Sequence, residues 1–151
     1  MATPHANTAK PVRKRILLVD DQLVERMGVA RIINQQADLV VCAEANNEPH
    51  VLGLAGVCNP NIVVLEWMLE GQETVGLITH LRHQYPWLPI LVLSSHAEAF
   101  AAERAVNAGA RGYILKQDPP EKIIEAIHSV LKGDPYLGQP TAQMVSSRAQ
   151  E

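Results

Sequence analysis

Residues 61–66 read Asn-Ile-Val-Val-Leu-Glu, four consecutive branched aliphatics closed by a carboxylate. A short run that is apolar at every position fits a strand covered on both faces. Asn59-Pro60 punctuates the chain just before it, and Gly71 follows in a loop. Four comparable runs recur: Arg15–Val19, Leu39–Ala43, Ile90–Ser94 and Gly112–Lys116. Helix-like stretches fill the gaps. Leu23–Gln36 carries Val29, Ile32 and Ile33 one turn after Val24 and Gly28. Asn47–Cys58 has Pro49 in its first turn and takes its apolar side from Leu52 and Leu54 to Val57. Thr74–Gln84 presents Leu77, Ile78 and Leu81. Ala97–Ala108 is mostly alanine and is expected to be loosely held. The last helix begins near Pro119-Pro120, runs to about Lys132, and repeats Ile123, Ile124, Ile127, Val130 and Leu131. From Gly133 onward no further strand or helix is expected.

Strands separated by helix-length crossovers predict an α/β fold, a (βα)5 doubly wound five-stranded parallel sheet. Ligand sites in such sheets lie beyond the carboxyl ends of the strands. Asp20-Asp21, Glu66, Ser94 and Lys116 all stand at those ends. Two adjacent carboxylates in a turn, joined by a third, make an oxygen-rich pocket suited to a hard cation such as Mg²⁺. A cation there offsets repulsion among clustered negative charges. Phosphoryl transfer onto a carboxylate also needs an amine and hydrogen-bond donors around the transferring group. Lys116 can supply the amine and Ser94 the hydroxyl.

The 151 residues suffice for one domain with a proper core. Thirteen basic and sixteen acidic residues leave a net charge of −3, without the basic face that nucleic-acid binding needs. The cluster Lys10, Arg13, Lys14, Arg15 reads as a solvated flank. No apolar run approaches the roughly 18 residues of a membrane span. Met1 to Pro11 lacks the apolar segment of a signal peptide. Cys42 and Cys58 sit in apolar company and read as two buried thiols of a cytoplasmic protein.

Ile-Leu-Leu-Val-Asp20-Asp21, Ile-Val-Val-Leu-Glu66, Leu-Val-Leu-Ser94-Ser95 and Ala-Gly-Ala-Arg-Gly-Tyr113-Ile-Leu-Lys116 together resemble a bacterial response-regulator receiver domain. The fold implied is the flavodoxin-like, CheY-like receiver, over residues 14–137. The run after Lys116, Pro-Pro-Glu-Lys-Ile-Ile and then Gly-Asp-Pro-Tyr-Leu, is most similar to the NarL/FixJ (LuxR-type) subgroup. The resemblance implies that Asp21 ligates Mg²⁺ directly, Asp20 through water, and Met68 through its backbone carbonyl. It implies Ser94 as the switch hydroxyl, Lys116 as the phosphate-pairing amine and Tyr113 as the aromatic whose rotamer follows activation. It implies a signalling module of a phosphorelay, not an enzyme. The partners implied are a sensor histidine kinase or phosphotransfer protein, and a second copy of the chain across the face of the fourth helix, fifth strand and fifth helix.

The chain departs from the family pattern at three points. Glu66 stands where the family carries its phospho-accepting aspartate. Glu70 stands where the family carries a proline. The helix-turn-helix of the subgroup is not among these residues: 1–13 read as a flexible lead and 138–151 as a tail without a DNA-binding domain. The extra methylene of Glu66 carries its carboxylate roughly 1.5 Å further from the backbone, toward Ser94 and Lys116. A displacement of about 1 Å costs on the order of 100-fold in a positioned reaction. The expectation is a pseudo-receiver in which Glu66 engages Lys116 and weakens or abolishes Mg²⁺ binding. The alternative is the receiver half of a NarL/LuxR-type regulator whose DNA-binding module lies outside this chain. A small hydrolase would need a second loop bearing a general base, and none is evident. His80 and His83, at i and i+3, lack a third ligand and read as surface residues. His96 reads as a loop residue at the pocket rim. Trp67 either covers the pocket or packs beneath it.

Overall fold

The computed structural model describes residues 12–95 and 99–138. Strands and helices alternate: β1 (Lys14–Val19), α1 (Leu23–Asn34), β2 (Leu39–Ala45), α2 (Glu48–Val57), β3 (Ile62–Glu66). A small hairpin follows, β4 (Met68–Leu69) and β5 (Gln72–Glu73), then α3 (Val75–Gln84) and β6 (Ile90–Ser94). The chain continues through α4 (Ala99–Ala108), β7 (Gly112–Leu115), α5 (Pro120–Leu131) and β8 (Tyr136–Leu137). The main sheet has the order β2-β1-β3-β6-β7-β8, and every pair in it is parallel.

Alternating side chains on the strands feed two cores. Leu17, Val19, Val63, Leu65 and Val92 face one side, with Leu77, Ile78 and Leu81 of α3. Ile16, Leu18, Ile62, Val64, Leu91 and Leu93 face the other, with Val29, Ile33, Ile123 and Ile127. This two-sided burial is why the strand runs carry no polar alternation. In α4, Ala101, Ala102 and Ala105 form the buried face, so its contact with the sheet rests on methyl groups alone. Ala97, His96 and the two terminal stretches fall outside the described residues.

Several expectations need correction. The sheet has six strands, not five, because Tyr136–Leu137 adds a parallel strand to β7. Gly133, at φ +92°, turns the chain after α5, and the Tyr136 N–H donates to the Arg111 carbonyl at 3.1 Å. A two-residue strand has no periodicity to betray it. Val24 and Val57 are each 82% exposed, so neither belongs to a core face. The buried stripe of α2 is Val51 and Ala55, four residues apart, and Val57 lies about 200° round from Ala55. The cysteines are half-buried and unpaired rather than buried. The β1–β2 register slips between Ile16 and Leu17, which pair with Val41 and Ala43. Cys42 is thus the extra residue of a bulge, and its thiol donates to the Ile16 carbonyl at 3.4 Å.

Gly112 is required where β8 docks, since a Cβ there would lie 2.8 Å from Leu91 Cδ1 and 2.9 Å from the Tyr136 carbonyl oxygen. Gly112→Ala is therefore expected to cost about 1–3 kcal/mol and to release β8. Hydrogen exchange should then speed at Tyr136 while the amides of β1 and β3 stay protected.

Candidate functional site

The β1/β3 neighbourhood is the place where strand order reverses, and β6 and β7 follow on the β3 side. Their carboxyl ends bring Asp20, Glu66, Ser94 and Lys116 together. Asp20 is buried just past β1. One of its carboxylate oxygens, Oδ1, accepts from the Gln22 N–H at 2.9 Å, and Oδ2 accepts from Lys116 Nζ at 2.8 Å. Glu66 closes β3, with Oε2 at 2.7 Å from the same ammonium. That contact is an ion pair whose angle is not that of a good hydrogen bond, so Oε2 is a buried acceptor without an aligned donor. The Met68 N–H reaches Glu66 Oε1 only at 3.5 Å. Lys116, just past β7, is anchored by its backbone N–H, which donates to the Ser94 carbonyl at 2.8 Å.

Glu25, in the first turn of α1, completes the group by a third contact to Lys116 Nζ. An ammonium has three N–H donors, and three carboxylates surround this one. Arg26 braces the same helix, donating to the Asp20 carbonyl at 2.7 Å and pairing with Glu44 at 3.0 Å. Asp21 stays at the exposed rim, where its Oδ2 accepts from the Glu70 N–H at 3.0 Å. Glu70 and Gly71 take φ of +52° and +78° in the β4–β5 turn. Two successive positive φ values suit a tight type I′ hairpin. Proline, fixed near −65°, cannot occupy the first of them, so the backbone here is not compatible with the family's proline.

Burial pushes the Glu66 carboxyl above its ordinary range, and the nearby ammonium only partly opposes this. Burial likewise disfavours the charged Lys116, but the hydrogen bonds it donates to Asp20 and Glu25 and its ion pair with Glu66 outweigh this and hold the amine protonated well above 10.5. Asp20, Glu25 and Glu66 are grouped around the Lys116 ammonium. No three acidic, histidine or cysteine groups among the described residues converge as ligands. As arranged, the residues do not fit Mg²⁺ while Lys116 stands between them.

Below the charged layer the site is aromatic. Trp67 is buried, so it packs beneath the pocket and does not cover it. Its ring meets Tyr113 edge-on, with centroids 6.5 Å apart at 70°. Thr74, buried at the start of α3, donates its hydroxyl toward the Glu66 and Trp67 carbonyls at 3.2 and 3.0 Å. Ser94 and Tyr113 are fully buried. His80 and His83 are exposed on α3. Sequence reasoning missed Glu25, Arg26 and Thr74. Glu25 lies in the first turn of the helix after Asp20-Asp21, and no local pattern ties it to Lys116.

The family model described as the response regulator receiver domain matches residues 16–128. The chain belongs to the response-regulator receiver family. The transcriptional regulatory protein LiaR of Bacillus subtilis is 30% identical over 134 residues, 89% of this chain and 64% of LiaR. The transcriptional activator protein ExaE of Pseudomonas putida is 30% identical over 131 residues, 87% of this chain and 61% of ExaE. The crystal structure of a LuxR-family two-component response regulator from Aurantimonas sp. SI85-9A1 superposes with a TM-score of 0.86 at 30% identity. That alignment covers 92% of this chain and 99% of the other. The chain spans less than two thirds of the length of the two curated relatives. No helix among the described residues is long and apolar enough to cross a membrane.

Lys116→Met should leave two buried receiver carboxylates without their counter-charge and cost about 3–5 kcal/mol. Lys116→Met with Glu66→Gln should recover part of that loss in denaturant melts. Lys116 binds its proton more tightly folded than unfolded, so its contribution is complete below 10.5, its ordinary value. It is lost as pH rises beyond that point. The native chain should therefore lose more stability than Lys116→Met between about pH 10 and 12; parallel alkaline slopes would contradict this.

Proposed function

We propose that this receiver works through protein–protein contacts and is not switched by aspartate phosphorylation, because Glu66 occupies the acceptor position. The carrying observation is the ammonium of Lys116, which is paired with Asp20, Glu25 and Glu66. A phosphoryl group entering the pocket would find the amine engaged and a longer carboxylate in its place. Asp20, Asp21, Glu66 and the Met68 carbonyl are the metal-binding positions of this reading. A cation could use them only after displacing Lys116. Ser94, Tyr113 and Lys116 are its switch positions, and Trp67 against Tyr113 supports an inward, resting aromatic. A single carboxylate imitates a phosphoryl group only in part, since that group carries nearly two negative charges.

The partners of this reading are a sensor histidine kinase or phosphotransfer protein in the cytoplasm, and a second copy through the face of α4, β7 and α5. Because β8 lies along Gly112 and Tyr113, it would be part of any such contact. A second reading is that the chain is the receiver half of a LuxR-type transcriptional regulator. It is favoured by the coverage of LiaR and ExaE, whose names describe transcriptional regulators and whose lengths exceed the matched region. The coding sequence downstream of Glu151 separates the two: an in-frame helix-turn-helix favours the second.

Incubation with acetyl phosphate and Mg²⁺, followed by intact-mass measurement, should leave the native chain unmodified. Glu66→Asp, shorter by roughly 1.5 Å, should take up one phosphoryl group and change its self-association. A stoichiometric adduct on the native chain would sink the first reading and leave the second standing.

A further inference from the structure

The other end of the sheet has the opposite character. Lys14, Asn61 and Arg111 stand at the starts of β1, β3 and β7, and with Arg82 and Trp87 they line a cavity of about 360 Å³. Its lining holds three cations and no carboxylate, in a chain where acidic residues outnumber basic ones 16 to 13. Among the described residues none of the three forms an ion pair. Unopposed charge of one sign in a concavity focuses the field on a counter-ion.

The two arginines are also held in place. Arg82 Nη1 donates to the Pro86 carbonyl at 2.6 Å, and Arg111 Nη2 donates to the Gly133 carbonyl at 2.5 Å. The Arg82 stem lies on Gly109, where a Cβ would fall 2.6 Å from Arg82 Cγ. One bond of this kind uses one of five donors in each guanidinium, so both forks keep donors for an anion. Fixing them beforehand lowers the entropy lost on binding. Beside them Trp87 is 74% exposed, although it forms a T-shaped pair with Tyr85 at 5.8 Å and 85°. An indole so exposed, and oriented by a neighbouring ring, offers a face for stacking. Asn61 Oδ1 already accepts from the Arg15 N–H at 2.8 Å, which leaves its amide protons as donors.

We propose that this cavity binds a nucleotide, with the base stacked on Trp87 and its phosphate held by Arg82, Arg111 and Lys14. The volume suits a small molecule, and an indole beside three cations matches a planar ring joined to an anion better than phosphate alone. The site shares no residue with the acidic end, so it stands or falls independently of the reading given above.

The full chain is titrated at low salt with ADP, AMP, adenosine and inorganic phosphate, followed by calorimetry and tryptophan fluorescence. Trp67 is buried, so quenching by a stacked base reports Trp87. ADP and AMP should quench and bind below about 1 mM, with affinity falling steeply as salt rises. Trp87→Ala should weaken nucleotide binding about tenfold without changing phosphate binding. Arg111→Gln should weaken both about tenfold. Thermal melts accompany each variant. If Arg111→Gln unfolds, the surface changes Trp87→Ala and Lys14→Gln decide the matter. No nucleotide binding up to about 5 mM, or nucleotide affinity unmoved by Trp87→Ala and Lys14→Gln, overturns the proposal. Inorganic phosphate binding as tightly as ADP, or an RNA or phosphopeptide binding where nucleotides do not, overturns it equally.

Discussion

A single ammonium holds the acidic end of this molecule together. Asp20, Glu25 and Glu66 come from a strand end, a helix turn and a second strand end, and the Lys116 ammonium pairs with all three. Two of the three carboxylates are buried, where charge without a partner is costly. The cation is therefore a condition for closing the loops after β1, β3 and β7 on one another. It also determines what the pocket can do. An amine paired with three carboxylates is not free for a ligand, and no three metal-ligating groups among the described residues converge there.

The sheet makes that meeting possible. Parallel strands in the order β2-β1-β3-β6-β7 present all their carboxyl ends on one side, and two buried faces hold them in register. Beneath the charges, Trp67 fills the space next to Tyr113, and the Thr74 hydroxyl fixes the backbone that leaves Glu66. The β4–β5 hairpin then turns through Glu70 and Gly71 and satisfies the rim carboxylate of Asp21. Glu66 thus sits in a support of aromatic bulk below and backbone hydrogen bonds beside it, with solvent largely shut out.

The same polarity gives the molecule two unlike ends. Acidic groups collect past the strand termini, and Lys14, Arg82 and Arg111 collect where the strands begin. The first group is neutralised internally, and the second has no internal counter-charge among the described residues. Within one receiver, one end is closed on itself and the other is left open to an anion.

Much of this was legible in the chain. Five short, mostly apolar runs, each too short for a helix and separated by helical spacing, point to a parallel sheet covered on both faces. The residues closing those runs name most of the acidic site, because topology carries strand ends to one edge. Local pattern could not give the sixth strand, since two residues have no period. Nor could it give Glu25, whose role depends on how α1 packs over β2 and β1. The choice of partner for Lys116, the inward packing of Trp67 and the gathering of Lys14, Arg82 and Arg111 were likewise decided by tertiary structure. Each depends on distances between segments far apart in sequence, and the order of residues along the chain does not encode those distances one segment at a time.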